Sequence, residues 1–259
     1  MKNKFAMNER PLILVSNDDG YQAKGINSLV GVLREFGDVV VVAPHTGRSG
    51  KGCAITSETP VKLERISSEP GVEIYSCTGT PCDCVKIACH AVLSRKPSLV
   101  VGGINHGDNS AVNAHYSGTM GVVLEGCMKG IPSIAISLCS HDADADFTPT
   151  YDVIRRIVAT VLEKGLPAGS CLNVNFPDSP SYAGIKVCRQ AKGTWENEWA
   201  AHEHPRGGEW WWLTGEFVVA DNDLSADRVA LENNYVAITP TTIDFTDYRL
   251  LEDMKQWKL

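Results

Sequence analysis

The sequence lacks any apolar run approaching the ~20 residues needed to cross a bilayer as a helix. Its longest, such as Val39-Val40-Val41-Val42-Ala43, are the size of strands. No membrane partner is expected on that ground. It also lacks any block of like charge or low-complexity tract, and its formal charge of −7 comes from 31 acidic against 24 basic residues. An acidic chain of this kind is a poor match for a nucleic-acid backbone or an anionic membrane surface, so neither is expected as a partner. An anionic substrate would have to be met by a local positive device.

Other absences narrow the chemistry. The nine cysteines are an odd number without a C-x-x-C pair, and most lie inside apolar runs (Cys77, Cys89, Cys127, Cys139, Cys171, Cys188), which favours buried free thiols over a disulfide framework. Only Cys82-Asp83-Cys84 resembles a ligand pair. No second Cys or His pair at zinc spacing accompanies it, so a structural zinc is not expected. The opening "MKNKFAMNERPLILV" does not read as a signal peptide, because its apolar run is short and leads into Asn17, Asp18 and Asp19, not a small-residue cleavage site. A cytoplasmic location is the expectation. "GRSGKG" is not a P-loop, since Lys51 is followed by Gly52; "GGINHG" is not a dinucleotide fingerprint; and no G-x-S-x-G elbow is present.

What is present is the pattern of an α/β protein. With 43% hydrophobic and 21% charged residues over 259 positions, the chain can bury one large core. Apolar runs bounded by turn residues at 11–16, 38–43, 98–102, 133–138 and 171–176 predict strands buried on both faces. Helical stripes fall between them, over 25–36, after Thr80-Pro81, and after Thr148-Pro149 up to Gly165, with each Thr-Pro pair read as an N-cap and first-turn proline. This alternation predicts parallel βαβ units, hence a doubly wound, mostly parallel sheet with helices on both faces. Residues 60–77 predict a hairpin or edge extension around Pro70-Gly71. Residues 190–220 predict a second hairpin, turning at Thr214-Gly215 and carrying Trp210-Trp211-Trp212. Those tryptophans either pack on the main domain or form an arm exchanged with another subunit, and the arm is the favoured reading. The domain expectation is a catalytic unit over 1–189, an oligomerisation arm over 190–220, and a return to the core with a C-terminal segment over 221–259.

In a doubly wound sheet the loops beyond the carboxyl ends of the strands meet in one crevice. Here they are "SNDDG" at 16–20, "APHTGRSGKG" at 43–52, and "GGINHGDNS" at 102–110, running on to "YSGTMGVVLEG" at 116–126. Asp18 alone could cap a turn. Two adjacent acids, Asp18 and Asp19, repel one another in a crevice, and a divalent cation relieves that cost, which makes a metal site the better reading. Carboxylates, an amide and a hydroxyl are hard oxygen donors suited to magnesium or manganese. The "SGT" of Ser117, Gly118 and Thr119 opens a helix whose free N–H groups favour an anion; an ordinary serine N-cap explains Ser117 equally well. His106 and His115 lie near this region and read by default as solvated loop histidines.

Taken together, "ILVSNDDGYQAKGI", "GRSG", "TGTPCDCV", "GGINHGDN", "YSGTMGVVLEG", "LNVNFP" and "YVAITP" resemble the SurE (survival protein E) nucleotidase family, in the family's order and over nearly the whole chain. The resemblance implies a Rossmann-like domain whose protruding β-hairpin and C-terminal segment exchange between subunits of a homodimer or homotetramer. It implies metal-dependent hydrolysis of nucleoside 5'- and 3'-monophosphates, with short polyphosphate as a further substrate. It places one divalent cation per subunit, magnesium or manganese, on Asp18, Asp19, Ser49 and Asn105, with Asp18 and Asp19 as the catalytic pair. It gives phosphate contacts to Asn105, Asn109, Ser117, Gly118 and Thr119. The polar approach "DNSAVNAHYSGT" and the segment "ADRVALENN" depart from the commoner family pattern on the substrate side. Two rivals stand beside this reading. A haloacid-dehalogenase-type phosphatase would use an aspartate after the first strand as nucleophile but wants D-x-D. A non-catalytic nucleotide-binding module would bind without releasing phosphate.

Overall fold

The computed structural model describes residues 10–258; residues 1–9, on which the signal-peptide reading partly rests, and residue 259 lie outside the described residues. The elements in chain order are β1 Leu12–Ser16, α1 Lys24–Leu33, β2 Asp38–Pro44, β3 Leu63–Glu69, β4 Val72–Cys77, α2 Pro81–Ile87, β5 Leu99–His106, α3 Gly118–Met128, β6 Ser133–Leu138, α4 Tyr151–Lys164, β7 Ser170–Phe176, β8 Gly184–Val187, β9 Gly193–Glu196, β10 Trp199–Glu203, β11 Glu209–Leu213, β12 Glu216–Val219, α5 Asp227–Glu232, β13 Tyr235–Thr242 and α6 Tyr248–Met254.

Nine strands form one sheet in the order β3-β4-β2-β1-β5-β6-β7-β13-β8. From β4 to β7 the pairing is parallel, whereas β3 runs antiparallel to β4 and β13 antiparallel to β7. The sheet is covered on both faces, as the all-buried strand runs require. One core joins Ile13, Val15, Val39 and Val101 to α1 and α4 through Leu29, Ile154 and Val158. The other joins Leu14, Val42 and Val100 to α2 and α3 through Val85, Met120 and Val123. Each such fully buried side chain contributes roughly 1.5–3 kcal/mol relative to exposure. This is the doubly wound α/β architecture that the periodicity predicts, Rossmann-like as the family resemblance implies.

Two local expectations are corrected. Thr148-Pro149 does open the helical region, but as a 3-10 turn, Thr148–Thr150, ahead of α4 and without a side-chain cap. Thr214-Gly215 is not a hairpin turn. The strands on either side of it pair elsewhere, β11 with β10 and β12 with β9, and the hairpin reverses through Gly207 and Gly208, both at positive φ. Two small two-stranded sheets therefore stand where one hairpin was expected.

Near its end β5 shifts register against β6 between Gly102 and Asn105. A bulge of this kind re-aims the side chain that follows it. Gly103 sits there at φ 124°, and a Cβ on it would lie 2.2 Å from the Ile136 carbonyl oxygen. Gly25 lets α1 approach the same place, since its Cβ would lie 2.0 Å from the Ile104 oxygen.

Candidate active site

The chain leaves β1 towards β2 on one side and returns to β5 on the other, so the crevice between β1 and β5 is the topological switch point of the sheet. Asp18 and Asp19 follow β1 and Asn105 closes β5, which places the predicted residues at that crevice. Asn17 builds the turn: its side chain donates to the Gly20 carbonyl at 3.0 Å and accepts from the Gly20 N–H at 3.2 Å.

Asp18 is buried and faces the start of α3. Its Oδ1 accepts from the Thr119 hydroxyl at 2.7 Å and its Oδ2 from the Gly118 N–H at 3.2 Å. Gly118 is required for this approach, because a Cβ there would come within 2.6 Å of the Asp18 Cβ. The Ser117 hydroxyl caps the helix by accepting from the Met120 N–H at 3.0 Å. Burial pushes the Asp18 carboxyl above its ordinary pKa despite the helix-start donors that lower it. Asp19 accepts from the His106 N–H at 3.2 Å, and burial followed by the charge of Asp18 pushes it up as well. The two acids thus strain one another as their adjacency predicts.

The loop bearing Ser49 is drawn in by the Arg48 N–H, which donates to the Asp18 carbonyl at 2.6 Å. Asn105 donates its amide to the Gly107 carbonyl at 2.8 Å, which fixes the ring of polar atoms so that its Oδ1 faces the Thr119 hydroxyl at 3.4 Å. Asn109 is buried, its amide donating to the Ser137 hydroxyl at 2.7 Å and its N–H to Asn175 Oδ1 at 2.8 Å.

These groups bound a cavity of about 390 Å³. Asp18, Ser49, Asn105, Asn109 and Ser117 line it, while Asp19, Gly118 and Thr119 stand outside the lining, the last two behind Asp18. Sequence reasoning missed the rim: Tyr116, His141, Trp195 and Glu198. Trp195 is fixed by its indole N–H, which donates to Asn113 Oδ1 at 2.9 Å. His141 packs on Gly107, where an added Cβ would lie 2.5 Å from its Cε1. His141 lies on the "SHDADADF" loop that leaves β6, a strand-end position that would have flagged it. Trp195 and Glu198 arrive from the segment read only as an arm.

Among the described residues no lysine or arginine lines the cavity, whereas Asp18, Asp108 and Glu198 do, and Asp108 is already paired with Arg228 at 3.0 Å. The N–H of Gly118, at the start of α3, is occupied by Asp18. The positive device demanded by an anionic substrate is therefore not a fixed side chain of this lining. The donors that converge are all oxygens, from carboxylates, a carboxamide and a hydroxyl, which fit a hard divalent cation. Among the described residues no three His, Cys, Asp or Glu side chains cluster as a metal nest, so any cation must rest on the mixed set.

The survival protein SurE family profile matches residues 13–197. The 5'-nucleotidase SurE of Phocaeicola vulgatus is 57% identical, covering 97% of this chain and 98% of that one. That of Bacteroides thetaiotaomicron is also 57% identical, covering 95% of each. The crystal structure of the Sure protein from Aquifex aeolicus superposes with a TM-score of 0.82 at 36% identity, over 95% of this chain and 98% of that one.

Proposed function

The chain belongs to the survival protein SurE family, and from that premise we propose that it is a nucleotidase hydrolysing nucleoside 5'- and 3'-monophosphates to nucleoside and phosphate, with short polyphosphate as a further substrate. It is a phosphoric monoester hydrolase. The observation that carries the reading is the cavity between β1 and β5, which the buried Asp18 lines with the half-buried Asp19 adjacent in the same turn, and whose lining holds no lysine or arginine among the described residues. One divalent cation per subunit, magnesium or manganese, would be held by Asp18, Asp19, Ser49 and Asn105. When bound, such an ion supplies Lewis-acid polarisation of a phosphoryl oxygen and neutralises its charge.

The chain's own groups do the rest. Thr119 and the Gly118 N–H hold Asp18 in one rotamer, and the His106 N–H holds Asp19 beside it. A carboxylate so fixed orients the attacking water and accepts its proton. In this reading Ser117 and Asn109, which line the cavity, would contact the phosphoryl oxygens, and Tyr116 with Trp195 would form an aromatic wall for the nucleoside. The subunits are read as a homodimer or homotetramer built through the 190–220 arm and the C-terminal segment. Nine free thiols suit a reducing compartment, the cytoplasm.

The test is phosphate release from AMP and GMP by purified protein with manganese, with magnesium, and after chelation. Release that requires the cation is expected, and Asp18→Asn and Asp19→Asn should each remove most of it. Tight nucleotide binding without release would establish the non-catalytic module, and chelator-resistant turnover would remove the metal from the reaction.

A further inference from the structure

Strand β7 carries two asparagines at alternate positions of an otherwise apolar stretch, Asn173 and Asn175, and both are buried. Val174 between them packs into the core beneath α1 and α4, so the pleat turns both carboxamides to the opposite face of the sheet. Asparagine is a poor strand former, and a buried amide costs free energy unless it is hydrogen-bonded. Apolar side chains would serve the sheet as well. What the two asparagines bond to is therefore the reason for their presence.

They bond to Asn109. The Asn109 N–H donates to Asn175 Oδ1 at 2.8 Å, the Asn175 amide donates to Asn173 Oδ1 at 2.9 Å, and the Asn173 amide donates to the Asn109 carbonyl at 2.8 Å. The ring closes on a single residue. Pinning the N–H on one side of a Cα and the C=O on the other fixes both soft torsions between them, and with them the direction in which the Cβ leaves. The side chain is then held a second time: Ser137 of β6, opposite Asn175 in the register, accepts one of the two Asn109 amide hydrogens at 2.7 Å. The other is left for the cavity that Asn109 lines.

The chain just beyond is gripped in the same way. The Ala111 N–H donates to the buried Asp227 carboxylate at 3.2 Å, and the Ala111 carbonyl accepts from the Gln190 amide at 2.9 Å. Ala111 itself sits at φ 50°, a conformation costly for a residue with a Cβ. Such a residue persists only where its surroundings over-determine it.

We propose that Asn173 and Asn175 are positioning residues for phosphate binding: from an interior strand they set the Asn109 carboxamide in the cavity wall, aimed to donate to a phosphoryl oxygen. Neither asparagine is part of the cavity lining, so their effect passes through Asn109. The inference rests on reading that cavity as the phosphate site. Because no lysine or arginine lines it among the described residues, neutral donors fixed in advance carry a larger share of the recognition.

The full chain with manganese is compared with Asn175→Leu, with Asn109→Ala, and with the variant carrying both; Asn175→Ser serves should the leucine fail to fold. The readouts are KM for AMP, the inhibition constant of inorganic phosphate, the manganese concentration at half activation, and amide exchange over residues 107–112. Each single variant should raise KM and the phosphate constant about tenfold, the scale of one hydrogen bond to a charged oxygen, with the manganese requirement unchanged. The Asn175 variants should also speed exchange at the Asn109 N–H. The double variant should be no worse than Asn109→Ala, since both changes remove the same contact. A purely structural role would lower Tm and leave the phosphate constant, measured below Tm, where it was. That result, losses that multiply in the double variant, or parental constants in Asn109→Ala overturns the proposal. A parent chain that releases no phosphate from AMP fails the activity reading instead, and calorimetric titration with inorganic phosphate in the presence of manganese then decides the positioning role. Equal weakening in the single variants upholds it; unchanged or absent binding overturns it.

Discussion

Asp18 shows how one residue's chemistry depends on a position 100 residues away. Its carboxylate rests on the first turn of α3 only because Gly118 has no side chain. Gly118→Ala is expected to lower kcat on the order of a hundredfold with the far-UV circular dichroism unchanged, since the added methyl forces Asp18 off its donors by a fraction of an ångström. Thr119→Val removes the 2.7 Å hydroxyl contact and should cost less, about tenfold, because the Gly118 N–H remains. The same acids carry a stability signature. Both are raised above their ordinary value of 3.8, so their neutral forms are the ones the fold favours. That stabilisation is full below pH 3.8 and is lost as the pH rises through the raised values, leaving the ionised pair a liability at pH 7. In chelator-treated protein Asp19→Asn should therefore raise Tm, by about 2 °C for each ~1 kcal/mol relieved, whereas adding manganese should raise the Tm of the parent and not of the variant. A parent Tm indifferent to manganese would separate these acids from any cation. Adjacent acids at a strand end were legible from sequence; the helix start that Asp18 occupies was not, because no local pattern reports which distant N–H a carboxylate will meet.

Elements were legible in proportion to how much of their signal is local. The strands buried on both faces announced themselves as unbroken apolar runs, and α2 by Thr80-Pro81, where the capping box is present in full. That box also anchors the loop beyond Cys53: the Thr80 hydroxyl donates to the Ala54 carbonyl at 2.7 Å, and Asp83 accepts from the Thr56 N–H at 3.1 Å. Thr80→Ala should cost about 1 kcal/mol, read as a drop in Tm of roughly 2–4 °C, and should loosen residues 54–56, read as faster amide exchange there. Unchanged exchange at those amides would separate the cap from the loop. The same Thr-Pro signal misled at Thr148, where a 3-10 turn takes the place of a side-chain cap. Thr214-Gly215 misled for a related reason. A Gly in the left-handed region marks a change of direction, but Gly215 at φ 114° and Gly207 and Gly208 at 87° and 93° are equivalent in that respect, and only the pairing partners tell which change closes a hairpin.

At the scale of the whole molecule the acidic balance left any anionic substrate to a local positive device, and among the described residues no lysine or arginine of the cavity lining supplies one. The tryptophans pose the opposite problem, too much apolar surface. Trp199, Trp210, Trp211 and Trp212 on β10 and β11 are each more than half exposed, and Phe245, Tyr248 and Trp257 near α6 are as well. A buried Trp covers ~150–250 Å², so four approach the ~800 Å² that each partner contributes to a standard interface. A second copy of the chain covering β10 and β11 would account for this surface, and sedimentation would then give a multiple of 28.1 kDa. Trp211→Glu with Trp212→Glu should shift the mass towards the monomer, because each places a charge in the centre of that patch. The cavity should feel the change, since Leu213 and Thr214 follow directly from β11's tryptophans and line its rim. With the acids and Ser49 untouched on the loops that follow β1 and β2, the loss should fall on KM, several-fold, and spare kcat. A monomeric variant with unaltered KM would show that the arm only assembles the protein; an unaltered mass would show that the tryptophans face something other than a second copy.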